Sequence, residues 1–127
     1  LQSELVIFQE LQTSSTRDAR RKLYKDVPAQ IVGLSDLELE NLLEITQAAV
    51  LPFDRIGILI QEGHMGADPI LSWCWMLIWK SWKKSENIIN WAKERRGEPT
   101  YLHAFKYLFD LAEAYRTKHN LQKPNIY

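Results

Sequence analysis

The chain has 127 residues, 46% hydrophobic and 25% charged, with sixteen basic and sixteen acidic side chains. That is one domain's length, enough to bury a core, and a net charge of zero argues against a general binder of nucleic acid or anionic membrane. The longest apolar run, 70–79, is too short to cross a bilayer, no signal peptide is visible, and a single cysteine, Cys74, excludes an intrachain disulfide.

A lone cysteine on an apolar helix is expected to pack as a small hydrophobe, which fits a reducing, cytoplasmic setting. The chain starts at Leu1 rather than Met. A preceding membrane anchor or further domain is therefore left open, and membrane attachment is expected only through such a segment. Charge is unevenly spread: 34–68 holds seven acids and one base, and from Pro69 onward ten bases face five acids. Either complementary helix surfaces meet inside one domain, or a polarised surface docks a partner.

In chain order, 2–12 reads as a helix with Leu5, Phe8 and Leu11 facing inward. The hydroxyl cluster at 13–16 favours a new start near Ser15. Residues 16–26 continue as helix with Ala19, Leu23 and Val27 on one side and Arg17, Arg20, Arg21, Lys22 and Lys25 around the rest, a solvated or ion-paired face. Pro28 ends it. Ser35 and Glu38 form a capping-box pattern that starts the next helix. In that helix Leu39, Leu42, Leu43, Ala49, Val50, Phe53, Ile56 and Ile60 recur at steps of three and four, the spacing of one buried face. Pro52 removes a hydrogen bond and clashes with the Ala48 carbonyl, so a kink is expected there. Gly57 should let a neighbouring helix approach, and Gly63 should cap the end.

Asp68 and Pro69 read as an N-cap followed by proline at the first helical position. Ile70, Trp73, Cys74 and Leu77 form one apolar stripe over 69–84, and Leu71, Trp75, Ile78, Trp79 and Trp82 form another. A helix apolar on nearly every side is a central one. A break or bend is expected at Lys83–Ser85, then a helical segment over 86–96, a stop at Gly97-Glu98-Pro99, and a last helix over 99–118. The tail 121–127 should be frayed or extended. No stretch alternates with period two. The expected fold is all-α, one domain over 1–120: a compact bundle of five to six helices around the Trp-rich helix.

Chemistry is sparse. His64, His103, His119 and Cys74 lack metal-ligand spacing, no glycine-rich phosphate loop is present, and no cofactor is implied. Arg96 and His103 fall in the Arg-x(4–6)-His window of helical ribonucleases of the HEPN type, whose catalytic arginine and histidine sit on a helix; here Gly97 and Pro99 interrupt that segment. Trp75, Trp79 and Trp82 line one side of a helix, and they are interhelical core, a partner-helix or dimer face, or a ligand-pocket or membrane-interface contact. Asp54, beside Phe53 and Ile56, is expected to pair with Arg20 or Arg17 as an interhelical clamp, or else to line a pocket.

Leu11-Gln12-Thr13, Arg17-Asp18-Ala19-Arg20-Arg21 and Tyr24, then Phe53-Asp54-Arg55-Ile56-Gly57 and Gly63, then Trp82, Arg95-Arg96-Gly97, Tyr101, Phe105 and Leu108 form an ordered series. It resembles the bacterial helical proteins of domain-of-unknown-function family 4760, over roughly 5–115. That resemblance implies a small α-helical module, in some members following an N-terminal membrane segment, with no established activity or catalytic residue to carry over. The stretch 70–82 departs from the pattern in its tryptophan content. The expectation is a non-enzymatic interaction or regulatory module that binds a protein partner or itself through the Trp-bearing helix or the acidic surface of 35–62. The alternative is a nucleic-acid-processing or small-ligand-binding domain using Arg96 and His103 or the 17–25 face.

Overall fold

The computed structural model describes residues 2–126, with side chains for 5–126. Leu1 and Tyr127, the ends of the expected domain and tail, lie outside the described residues. Five helices follow one another with no strand among the described residues: α1 (Gln2–Gln12), α2 (Ser14–Asp26), α3 (Asp36–Gln61), α4 (Ala67–Arg96) and α5 (His103–Lys118).

The local signals explain most of the boundaries. Thr13 caps α2, its hydroxyl accepting from the Thr16 N–H at 3.4 Å, so the helix begins a residue before the expected start at Ser15. At Ser35 the capping box is complete: its hydroxyl accepts from Glu38 N–H at 3.2 Å, and the Glu38 carboxylate accepts from Ser35 N–H at 3.1 Å. The backbone hydrogen bond from Ser35 holds the Glu38 carboxyl below the usual carboxylate range. Gly63 ends α3 in the left-handed region, with His64 N–H reaching Leu59 O and Gly63 N–H reaching Ile60 O. These two bonds are the Schellman pattern. α3 runs through Pro52 as one helix.

Three boundaries differ from expectation. α4 starts at Ala67 with Gly66 as its N-cap, so Asp68 is not the cap and Pro69 sits in the first turn, where its missing N–H leaves no bond unmade. α4 then continues through Lys83–Ser85 as one helix. Lysine is a good helix former, and the buried Ser85 hydroxyl is satisfied by the Ser81 carbonyl at 2.6 Å. The irregular residue is Cys74, at φ −138° and ψ 26°; nothing in the local sequence explains it. Finally, α5 begins at His103 rather than at Pro99. A turn over 99–102 intervenes, and Leu102 at its end takes φ 54°.

Packing is dominated by α5 against α3 and α4, with α2 against α3 next. The buried face of α3 includes Leu39, Leu43, Ala49, Val50, Phe53 and Ile56, with Phe53 stacked on Phe105 at 5.8 Å. Gly57 belongs to this face for a specific reason. A Cβ there would lie 2.1 Å from the Ala104 carbonyl oxygen, so only glycine lets the first turn of α5 come this close. One turn earlier on α3, Asp54 accepts the Phe105 N–H at 2.9 Å. Phe105 is the third residue of α5, and the N-cap residue, Leu102, supplies no side-chain bond. Asp54 thus caps α5 from a neighbouring helix, matching its charge to the positive helix end.

The acidic start of α3 meets the basic end of α4 within the fold. Arg95 reaches Asp36 at 2.9 Å and Glu40 at 3.1 Å. These side chains are well exposed, so each pair contributes at most about 1 kcal/mol. Arg55 pairs with Glu10 and ties α1 to α3. The tail has no regular secondary structure over 121–126 but is tied to the body: Arg116 donates to the Leu121 carbonyl at 2.9 Å, and Ile126 packs against the core.

Candidate interaction surface

Trp75, Trp79 and Trp82 are 8%, 5% and 4% exposed. Their burial leaves no open docking face: all three belong to the hydrophobic core, Trp79 and Trp82 against α5. Trp82 meets Phe105 edge-on at 5.4 Å and Phe109 at 5.8 Å, and the Trp79 indole N–H donates to Glu113 at 3.2 Å. An indole buries its apolar body when its one donor can still find an acceptor.

Arg20 and Asp54 are not brought together. Arg20 is buried and donates to the Leu11 carbonyl at 3.0 Å, closing the end of α1. Asp54 is engaged by α5, and among the described residues it makes no ion pair with Arg20 or Arg17. The clamp expectation treated Asp54 as a charge in search of a charge. Here its partner is a helix terminus.

Arg96 and His103 lie on different helices, at the end of α4 and the start of α5. The Arg96 guanidinium sits over the Tyr101 ring at 5.2 Å, and the His103 ring nitrogen bonds the Thr100 carbonyl at 3.1 Å. Both are exposed. The ribonuclease arrangement, with both residues on one helix, is not what the chain builds here.

Cys74 is buried beside Arg20, and burial pushes its thiol up to about 12. The thiolate is the reactive form. Native protein at pH 8 should therefore react with a disulfide reagent roughly a thousandfold more slowly than a thiol at the ordinary 9.0. Stopped-flow labelling with and without denaturant measures this, and a fast native phase would show the thiol to be accessible. Burial likewise raises Tyr24, whose hydroxyl pairs with Ser81 at 2.9 Å between α2 and α4. No group of three or more metal-ligating side chains occurs among the described residues. No described helix is long and apolar enough to cross a membrane.

A cleft of about 460 Å³ opens between the start of α4 and the end of α5. Its lining includes Asp68, Ser72, Ala114, Lys118 and His119, all exposed, so it is a surface depression and not an enclosed ligand chamber.

The apolar surface lies elsewhere. Trp73 was expected in an inward stripe, yet it is 41% exposed, and Met76, three residues later, is 53% exposed. Trp73 meets Phe8 of α1 at 4.5 Å. Leu5, one turn before Phe8, was expected inside and is 56% exposed, because Ile7 and Leu11 take the inward positions of α1. Helical spacing places Leu5 on the side of Phe8, whereas Met76 lies beyond the kink at Cys74. Phe8 and Trp73 form a partly open aromatic strip where α1 meets α4, and Leu5 and Met76 are further exposed apolar residues of these two helices. Its sequence signal was the same indole content that marks the core, so periodicity alone did not separate Trp73 from the other four. Comparison with protein-family models, with curated proteins and with solved structures finds no match to this chain.

Proposed function

We propose that this protein is a non-enzymatic helical interaction module that seats an amphipathic helix of a protein partner on its α1/α4 strip. One observation carries the reading: Trp73 stands open to solvent against Phe8, with Met76 exposed on the same helix, although large apolar contacts of this kind are ordinarily covered. Tryptophan and methionine are residues that interfaces favour. The basic residues of the adjoining α2, Arg17, Lys22 and Lys25, are exposed and have no ion-pair partner among the described residues. They favour an occupant with acidic flanks. In the same reading Pro52 bends α3, α4 is the central helix, the module works in a reducing compartment, and the resemblance to family 4760 adds a helical module without an activity.

The test is site-specific photocrosslinking from position 76 in cells. The expected result is one recurrent adduct whose crosslinked peptide is an acidic amphipathic segment, lost when Trp73→Asp is introduced. Diffuse labelling that survives Trp73→Asp would remove the strip from consideration.

A further inference from the structure

The outward side of α3 carries a second pattern, independent of the α1/α4 strip. Positions 37, 41, 44, 48, 51, 55, 58 and 62 are all exposed, and they follow alternating steps of four and three, the spacing of a coiled-coil seam. Leu37, Leu51 and Ile58 on this seam are 72%, 47% and 39% exposed. They are separated by whole heptads, and Ala48 lies between them. A helix face turned to water ordinarily carries polar residues, as α5 does with exposed His103, Lys106, Asp110 and Lys118.

We propose that this seam joins two copies of the chain, α3 of one lying antiparallel to α3 of the other. The charges on the seam decide the direction. A parallel pair in register would set Glu44 against Glu44 and Arg55 against Arg55. An antiparallel pair with its twofold axis between Ala49 and Val50 sets Glu44 opposite Arg55 of the second copy. The symmetry then repeats that pair at the other side. Between the two ion pairs, Ala48 faces Leu51, a small residue leaving room for a large one. Further out, Ile58 faces Asn41, and Leu37 lies along the stem of Glu62. Unlike charges meet and like charges are kept apart, which fixes both orientation and register. The seam is about 38 Å long at 1.5 Å per residue. Arg55 already bonds Glu10 within its own chain; a guanidinium with five donors can hold both carboxylates.

The test is sedimentation of the full chain from about 5 µM to about 1 mM, the range in which a small two-helix interface associates. The measured mass should move from monomer toward dimer. Leu51→Asp should raise the dissociation constant by about tenfold or more, through two charges buried near the axis. Circular dichroism should show the fold unchanged, because Leu51 is exposed. A charge-swap set, carried in a Glu10→Gln background to remove the intrachain pair, then tests direction. Glu44→Arg and Arg55→Glu should each weaken the dimer by about tenfold, and the two together should return it to within about threefold of the background. Trp73→Asp should leave the constant unchanged. A monomer at every concentration overturns the proposal. So does a dimer indifferent to Leu51→Asp, one that fails to recover in the double reversal, or one that Trp73→Asp abolishes.

Discussion

Gly57→Ala should destabilise the protein by about 3 kcal/mol, near the upper end of overpacking effects. For a domain of this size that is a fall in melting temperature on the order of 10 °C. Two effects oppose one another. Alanine is the better helix former, by about 1 kcal/mol at an interior position. Against this, the added Cβ would lie 2.1 Å from the Ala104 carbonyl oxygen and 2.7 Å from the carbonyl carbon. Both are backbone atoms, so no side-chain rotation relieves the overlap. The first turn of α5 must move off α3, and the Asp54 bond to Phe105 moves with it. The overlap wins. Thermal unfolding of the variant decides the matter; an unchanged or higher melting temperature would show that α5 does not rest on Gly57.

Asp54→Ala should destabilise by about 1–2 kcal/mol, the usual cost of removing a helix N-cap. Asp54→Asn should lose much less, about 0.5 kcal/mol, because the amide oxygen still accepts and only the charge opposite the helix end is gone. Hydrogen exchange should locate the loss, with the Phe105 amide exchanging faster in the alanine variant than in the asparagine variant. The contrast separates capping from ion pairing. If asparagine cost as much as alanine, the carboxylate would be acting through its charge, as an arginine clamp would require. The two variants also test one junction from two sides, since Asp54 and Gly57 lie one turn apart on α3 against successive residues of α5. Their effects should therefore fall short of additive.

The seam and the strip have different consequences if both are occupied. α3 faces a second copy, and α1 with α4 faces a foreign helix. A symmetric pair would then present two docking strips, and a partner carrying two suitable helices would gain by avidity.

Much of the architecture was legible in the residues. The Ser35–Glu38 box, the Gly63 and Gly97 ends and the apolar steps through 39–56 are local signals, each satisfied by atoms a few positions away, so sequence alone determines them. Gly57 was also readable as a close approach, since an unforced glycine within a buried helical stripe has few other uses. The long course of α4 was not readable, because Lys83, Lys84 and Ser85 look like an ending. Only the burial of Ser85 against Ser81 shows that the helix passes through.

What the tertiary structure alone decided is which of several equivalent residues met which neighbour. Five tryptophans fall between 73 and 91, and hydrophobicity treats them alike; in the fold Trp73 meets Phe8 of α1 and stays 41% exposed, while Trp79 and Trp82 are buried against α5. Asp54 is a charge near an apolar face in the sequence. Its partner is a backbone N–H fifty-one positions away, and backbone N–H groups carry no residue identity for a sequence pattern to reveal. Arg96 and His103 fit a spacing that exists only if one helix spans both, and the turn at 99–102 breaks it. Local bonding is written in neighbouring letters. Long-range pairing depends on where the helices come to rest, and there packing chooses.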